Sequence, residues 1–140
     1  MSLTTEQMKN HLEFLGFKID SEPLKAKPSE PYYTAVPSGG YRFAFWEGGP
    51  DFVRFLCRIT VQTKPSDMLN AFVNDANRAL ALSSLFYDAS PDETSIVMSV
   101  SAAYTGDYTK EKFGGFIDRF RRDLDGLGRI KNYQAVFFGK

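Results

Sequence analysis

The sequence predicts an α+β fold: a twisted antiparallel β-sheet with helices packed on one side. Three observations predict it. First, residues 52–62 and 95–104 alternate strictly, with Val53, Phe55, Cys57, Ile59 and Val61 on one face of the first run. Such alternation marks strands with one buried and one wetter face. Second, residues 4–15, 68–80 and 110–127 carry apolar side chains at helical spacing. Third, the order reads helix, short strand, proline-rich loop, hairpin, helix, hairpin, helix. It lacks the βαβ rhythm of a parallel nucleotide-binding sheet.

Each element has a local cause. In residues 4–15, Met8, His11, Leu12 and Leu15 share a face, Thr4 or Thr5 can cap the start, and Gly16 stops the helix. Residues 17–20 suit a short strand. Residues 21–40 hold Pro23, Pro28, Pro31 and Pro37 and read as a loop with at most one short strand at 32–36. Residues 41–46 and 52–62 form a hairpin through the turn-rich 47–51. On the second strand, Phe52, Arg54, Leu56, Arg58, Thr60 and Gln62 oppose the apolar set.

Residues 64–67 break that strand and cap the next helix, whose stripe is Leu69, Phe72, Val73, Ala76 and Leu80. That helix runs into a short strand at 83–88. After a turn at 89–93, residues 95–104 place Ile96, Met98, Val100 and Ala102 on one face. The last helix carries Phe113, Phe116, Ile117, Phe120, Leu124 and Leu127, and Gly126 and Gly128 end it. The tail 129–140 holds Tyr133, Val136, Phe137 and Phe138, an apolar set expected to dock on its own sheet or on a second subunit.

Length and composition bound the function. The 140 residues suit a single domain over 1–140, with a core at about 4–127. Seventeen basic and seventeen acidic side chains cancel, so no long-range field steers the chain to nucleic acid or to an anionic membrane. One cysteine leaves no internal disulfide and no Cys-based zinc site. No signal-peptide pattern stands at the start and no apolar run is long enough to span a bilayer, so the expected location is cytoplasmic.

Catalytic chemistry finds little footing. His11, the single histidine, sits beside an apolar stripe and reads as a packing or surface residue. Cys57 lies on the inward face of a strand, where a thiol acts as a small apolar group. Glu47 and Asp51 flank one turn, and Asp88, Asp92 and Glu93 crowd another. Carboxylates at turns are solvated or make local hydrogen bonds. Arg119, Arg121 and Arg122, set among Asp118, Asp123 and Asp125, read as a salt-bridged solvated face. The aromatic stretch 41–46 has the look of an RNA-binding strand, but the element order and charge balance oppose it. The expectation is a protein that is not an enzyme and takes no cofactor and no metal.

Asn74 and Asn77 stand out, because asparagine is a poor helix former and both fall within one turn of a core-packed helix. Asn77 lies near the buried stripe and needs partners there. The structural reading is that it bonds a neighbouring strand or loop and fixes the helix–sheet register.

The run Val73-Asn74-Asp75-Ala76-Asn77-Arg78, followed by a strand ending Phe86-Tyr87-Asp88, resembles the YbjN-like family of small bacterial proteins. So do Thr105-Gly106-Asp107-Tyr108-Thr109 before a Phe-rich final helix, and Leu15-Gly16-Phe17-Lys18-Ile19 near the start. The resemblance spans residues 4–127. The proline-rich 23–37 and the tail beyond Gly128 depart from the family's pattern. The resemblance implies a fold similar to type III secretion chaperones, often dimeric, and a regulatory role in sensory transduction or stress. It brings no catalytic residues, and Asn74 and Asn77 match its motif as structural positions.

The function expected is therefore a non-catalytic protein-interaction module, chaperone-like or adaptor-like, with a protein partner or a second copy of itself in a homodimer. Trp46, Phe52, Arg54, Leu56, Arg58, Phe137 and Phe138 are the candidate partner surface, since aromatics and arginine are enriched at interfaces. The alternative is a small-ligand sensor with an aromatic pocket beneath the proline loop, lined by Tyr32, Tyr33 and Tyr104.

Overall fold

Twelve residues make the first helix, α1 (Leu3–Phe14). The computed structural model describes residues 3–23 and 31–139. Helix α1 buries Met8 and Leu12 and stops at Gly16, whose φ of 97° is left-handed. There the Phe17 N–H donates to the Leu12 carbonyl and the Gly16 N–H to the Glu13 carbonyl, both at 3.0 Å. This paired closure seats buried Phe17 beside Leu12, as a glycine-ended helix requires. Leu15, expected on the apolar stripe, is instead exposed, because the closing turn swings it off the helix face.

Strands β1 (Lys18–Pro23) and β2 (Pro31–Val36) form an antiparallel pair from Lys18↔Val36 to Pro23↔Pro31. Residues 21–23 thus belong to a strand, where the sequence reading had loop. Proline is tolerated there because β1 is the sheet edge and needs no donor on its open side. Pro28 lies outside the described residues. Strand β3 (Phe43–Gly49) runs further than expected into the turn before β4 (Phe52–Val61), with a register shift between Glu47 and Gly49.

Helix α2 (Asp67–Ala79) starts on Ser66, whose hydroxyl accepts from the Leu69 N–H at 3.1 Å. Strands β5 (Ser84–Ala89) and β6 (Ile96–Thr105) pair antiparallel. Helix α3 (Lys110–Gly126) leads through a 3₁₀ turn (Leu127–Arg129) into a short helix α4 (Tyr133–Phe138). The chain is α+β, with one six-stranded antiparallel open sheet in the order β1-β2-β3-β4-β6-β5.

Two compact units divide the chain, residues 1–57 with 102–118 and residues 58–101 with 119–140. The first has an aromatic core. Tyr33, Phe45 and Phe55 stack in sequence at 5.1 and 5.2 Å, and Phe55 meets Phe116 at 4.9 Å. Strand alternation puts these rings on one face of the sheet, where α1 and the start of α3 cover them. Each fully buried ring contributes about 1.5–3 kcal/mol relative to exposure. In the second unit Leu69, Phe72 and Ala76 of α2 are buried, as are Ile96, Met98 and Val100 of β6. The tail docks within this unit: Val136 is buried, and the Phe137 ring lies 5.8 Å from Phe72. Its support is helix α2.

Candidate interaction surface

Alternation on β2, β3 and β4 that buries Tyr33, Phe45 and Phe55 sends their neighbours to the opposite face. The register aligns those neighbours into rows. Glu22 pairs with Tyr32, Tyr32 with Trp46, and Trp46 with Arg54. The adjacent row is Asp20, Thr34, Ala44 and Leu56. Tyr32, Trp46, Arg54 and Leu56 are half-buried, while Asp20 and Glu22 are exposed. A partly covered indole between a phenol and a guanidinium has apolar area and polar handles together.

Local bonds hold the row. The Tyr32 hydroxyl donates to the Glu22 carboxylate, and that bond, ahead of desolvation and the carboxylate's charge, raises the phenol pKa above its ordinary value. The Arg54 guanidinium lies over the Phe52 ring, 5.4 Å from its centroid, a cation–π arrangement. Phe52 in turn covers Gly48 and Gly49. A β-carbon at either glycine would come within 2.5 or 2.7 Å of the Phe52 ring, so the bare backbone makes room for it.

Of the expected surface residues, Trp46, Phe52, Arg54 and Leu56 are brought together in the first unit. Arg58 is exposed on β4 and belongs to the second unit. Phe137 and Phe138 also belong to the second unit. Phe137 is occupied there by Phe72 and by Tyr133, at 4.5 Å from the latter, and Phe138 remains 58% exposed. Tyr32, expected in a pocket, and Glu22 were not placed on this face, because the first strand was read only to residue 20 and the prolines hid its pairing with the second. The alternation Tyr33/Ala35 against Tyr32/Thr34 was the available signal.

Among the described residues, Tyr32, Tyr33 and Tyr104 do not line one pocket together. Tyr32 and Tyr33 are consecutive on one strand and point to opposite faces, and Tyr33 is buried against Phe45. Tyr104 is buried among Phe113 and Phe116, and its hydroxyl donates to the Asp107 carbonyl at 3.0 Å. It reaches a different cavity, about 170 Å³, whose rim includes Thr4, Glu47, Asp51 and Asp107. Among the described residues no group of three or more His, Cys, Asp or Glu could hold a metal ion.

Three other side chains are placed by specific bonds. The Asn77 amide accepts from the Leu85 N–H at 2.7 Å and donates to the Leu85 carbonyl at 2.9 Å. It therefore acts as a strand-like neighbour for β5; Asn77, expected near the buried stripe, is exposed, as is Asn74 one turn earlier. Asp123, read as part of a solvated face, is buried. Its carboxylate accepts from the backbone N–H groups of Ala81, Leu82 and Ser83 at 2.8–2.9 Å, so the loop after α2 closes on it. Spacing alone could not reveal this, since its partners lie about forty residues away.

His11 is half-buried. Its Nδ1 is 2.8 Å from the Tyr108 hydroxyl and its ring meets the edge of Phe113. Burial, then the Lys110 charge, lowers its pKa below 6.5. With Gln7, Asn10, Phe14, Tyr108 and Lys110 it lines a cavity of about 340 Å³. Cys57 is buried, and desolvation pushes its thiol up to about 12, as expected of an inert core residue.

No family model matches the chain, and no curated protein matches its sequence. Solved structures do match. The crystal structure of YbjN from E. coli, a candidate transcription regulator, superposes with a TM-score of 0.62 at 15% identity, covering 88% of this chain and 87% of YbjN. An uncharacterized protein from Methanothermobacter thermautotrophicus gives a TM-score of 0.60 at 14% identity, covering 91% of this chain and 95% of that one. Among the described residues no helix is long and apolar enough to cross a membrane. At such identities the likeness is one of fold, and on that footing the resemblance read from the sequence holds: this chain has the fold of YbjN.

Proposed function

We propose that this chain is a non-catalytic protein-interaction module of the adaptor or regulatory kind, and that it binds protein through the outer face of β2, β3 and β4. One observation carries the reading: the register lays Tyr32, Trp46 and Arg54 side by side on the face opposite the aromatic core. Such a cluster has the composition of an interface centre, where a few aromatic and arginine anchors dominate binding. YbjN is itself described as a candidate transcription regulator. A regulatory role here would act through protein contacts, since formal net charge is zero and no basic field favours DNA.

Trp46 is the anchor to remove. Trp46→Ala should weaken partner capture or self-association about 30-fold, the factor for a loss of about 2 kcal/mol at a hot spot. Far-UV circular dichroism should stay unchanged. The comparison pairs affinity capture by wild type and variant with their light-scattering masses. Equal capture together with equal mass overturns the proposal.

A further inference from the structure

We infer that the cavity between α1 and the start of α3 is a binding site for a small aromatic carboxylate. The site is separate from the outer face of the sheet and does not rest on the interaction reading above. Gln7, Asn10, His11 and Phe14 stand at positions i, i+3, i+4 and i+7, so one face of α1 presents all four. Tyr108 and Lys110 close the other side, and the six together line about 340 Å³. All six belong to the first compact unit. Small-molecule pockets run from roughly 300 to 1,000 Å³, so this volume suits one ring with a short polar arm.

The lining sets the charge of the guest. It holds one fixed cation, Lys110, and no carboxylate. Among the described residues Lys110 forms no ion pair. Burial, then the Lys110 charge, keeps the His11 ring neutral near pH 7, so the cavity carries a single positive charge. A doubly charged phosphate calls for several cations or a guanidinium fork, whereas one ammonium among neutral donors matches a monoanion. Those donors are in place. The His11 Nδ1 is 2.8 Å from the Tyr108 hydroxyl. If the hydroxyl donates, the imidazole keeps its Nε2–H; if the ring donates, the phenol keeps its O–H. Either tautomer leaves one donor on a lining residue for a carboxylate oxygen, and the Gln7 and Asn10 amides add more. The rings set the body of the guest. Phe14 is 82% exposed, beside half-buried Tyr108. A planar apolar ring laid on Phe14 leaves water and gains an aromatic neighbour.

Phenylacetate and its neutral amide, phenylacetamide, are the probes, and the ring protons of the sole histidine report occupancy by NMR. Phenylacetate should shift them saturably with a Kd on the order of 1 mM. Phenylacetamide should bind about tenfold more weakly, for want of a charge-assisted bond to Lys110. Lys110→Gln should abolish this preference for the acid. Phe14→Ala should weaken both probes alike, about fivefold. Both side chains are exposed, so both variants should fold, and thermal melts check that they do. A carboxylate bound beside Lys110 also favours the imidazolium, so saturation should raise the His11 titration midpoint. Tyr108 and Lys110 are the titratable groups that line the cavity with it, and Phe113 and Gly114, which also face the ring, carry no charge. The site is overturned by the lack of a saturable shift up to about 20 mM phenylacetate, well above the expected Kd. An amide that binds as tightly as the acid overturns it too. So does a Lys110→Gln variant that still prefers the acid, or a midpoint that stays put at saturation. None of these outcomes bears on the Trp46→Ala comparison, which tests the outer face alone.

Discussion

At the scale of single residues, His11 makes a measurable prediction. Its neutral imidazole is held between Tyr108 and Phe113, and burial and the Lys110 ammonium disfavour the charged form. The folded pKa lies below the unfolded one, so falling pH protonates the unfolded chain first. The stabilising contribution of neutral His11 is therefore complete above about 6.5 and is lost as pH drops through the folded pKa. A proton NMR titration of this sole histidine should give a midpoint under 6.5, and His11→Gln should flatten the stability profile across that window. A midpoint at or above 6.5 contradicts the geometry. The sequence showed where His11 and Cys57 stand but not their neighbours: Tyr108 is 97 positions from His11, beyond the reach of helical periodicity. Asp123 was hidden for the same reason.

At the scale of elements, legibility followed periodicity. Helices α2 and α3 and strands β4 and β6 carry clean apolar patterns, and their cores were readable. Strands β1 and β2 were readable at 17–20 and 32–36, but their full length and pairing were not, because Pro23 and Pro31 close the pair and turn chemistry dominates their sequence. The tail was readable as apolar but not as a helix, since six residues form α4 only with Phe137 held against Phe72. Strand β5 carries the second prediction of stability. It ends the sheet, and the Asn77 amide bonds the backbone of Leu85 there. Asn77→Ala should cost about 1–3 kcal/mol, the range for leaving partly buried backbone groups unsatisfied. Hydrogen exchange at the Leu85 amide should speed up with it. A denaturation midpoint within error of wild type, with Leu85 still protected, would remove the amide from the account of α2–β5 register.

At the scale of the whole molecule, zero net charge coexists with local polarity. The surface as a whole does not repel a second copy, and the outer face arranges opposite charges at opposite ends of one row. If those ends pair with a partner, association at this face must depend on salt. The Debye length shrinks from about 10 Å at 0.1 M to about 3 Å at 1 M, so the dissociation constant should rise several-fold over that range. An association that strengthens with added sodium chloride would point to purely apolar stacking. The family-level reading of the sequence was sound about fold because fold depends on order and pattern. Trp46, Phe52, Arg54 and Leu56 of the candidate face were legible from strand parity, but their cross-strand order was not, because a row of side chains exists only once the register is set.

Cys57 has a practical consequence. The chain offers one native thiol, it is sealed in the core, and burial pushes it up to about 12, away from the reactive thiolate. Maleimide reagents therefore meet a silent background. A cysteine introduced at an exposed position such as Asp20 would carry a spin label or a fluorophore alone, and no native residue would need to be sacrificed first.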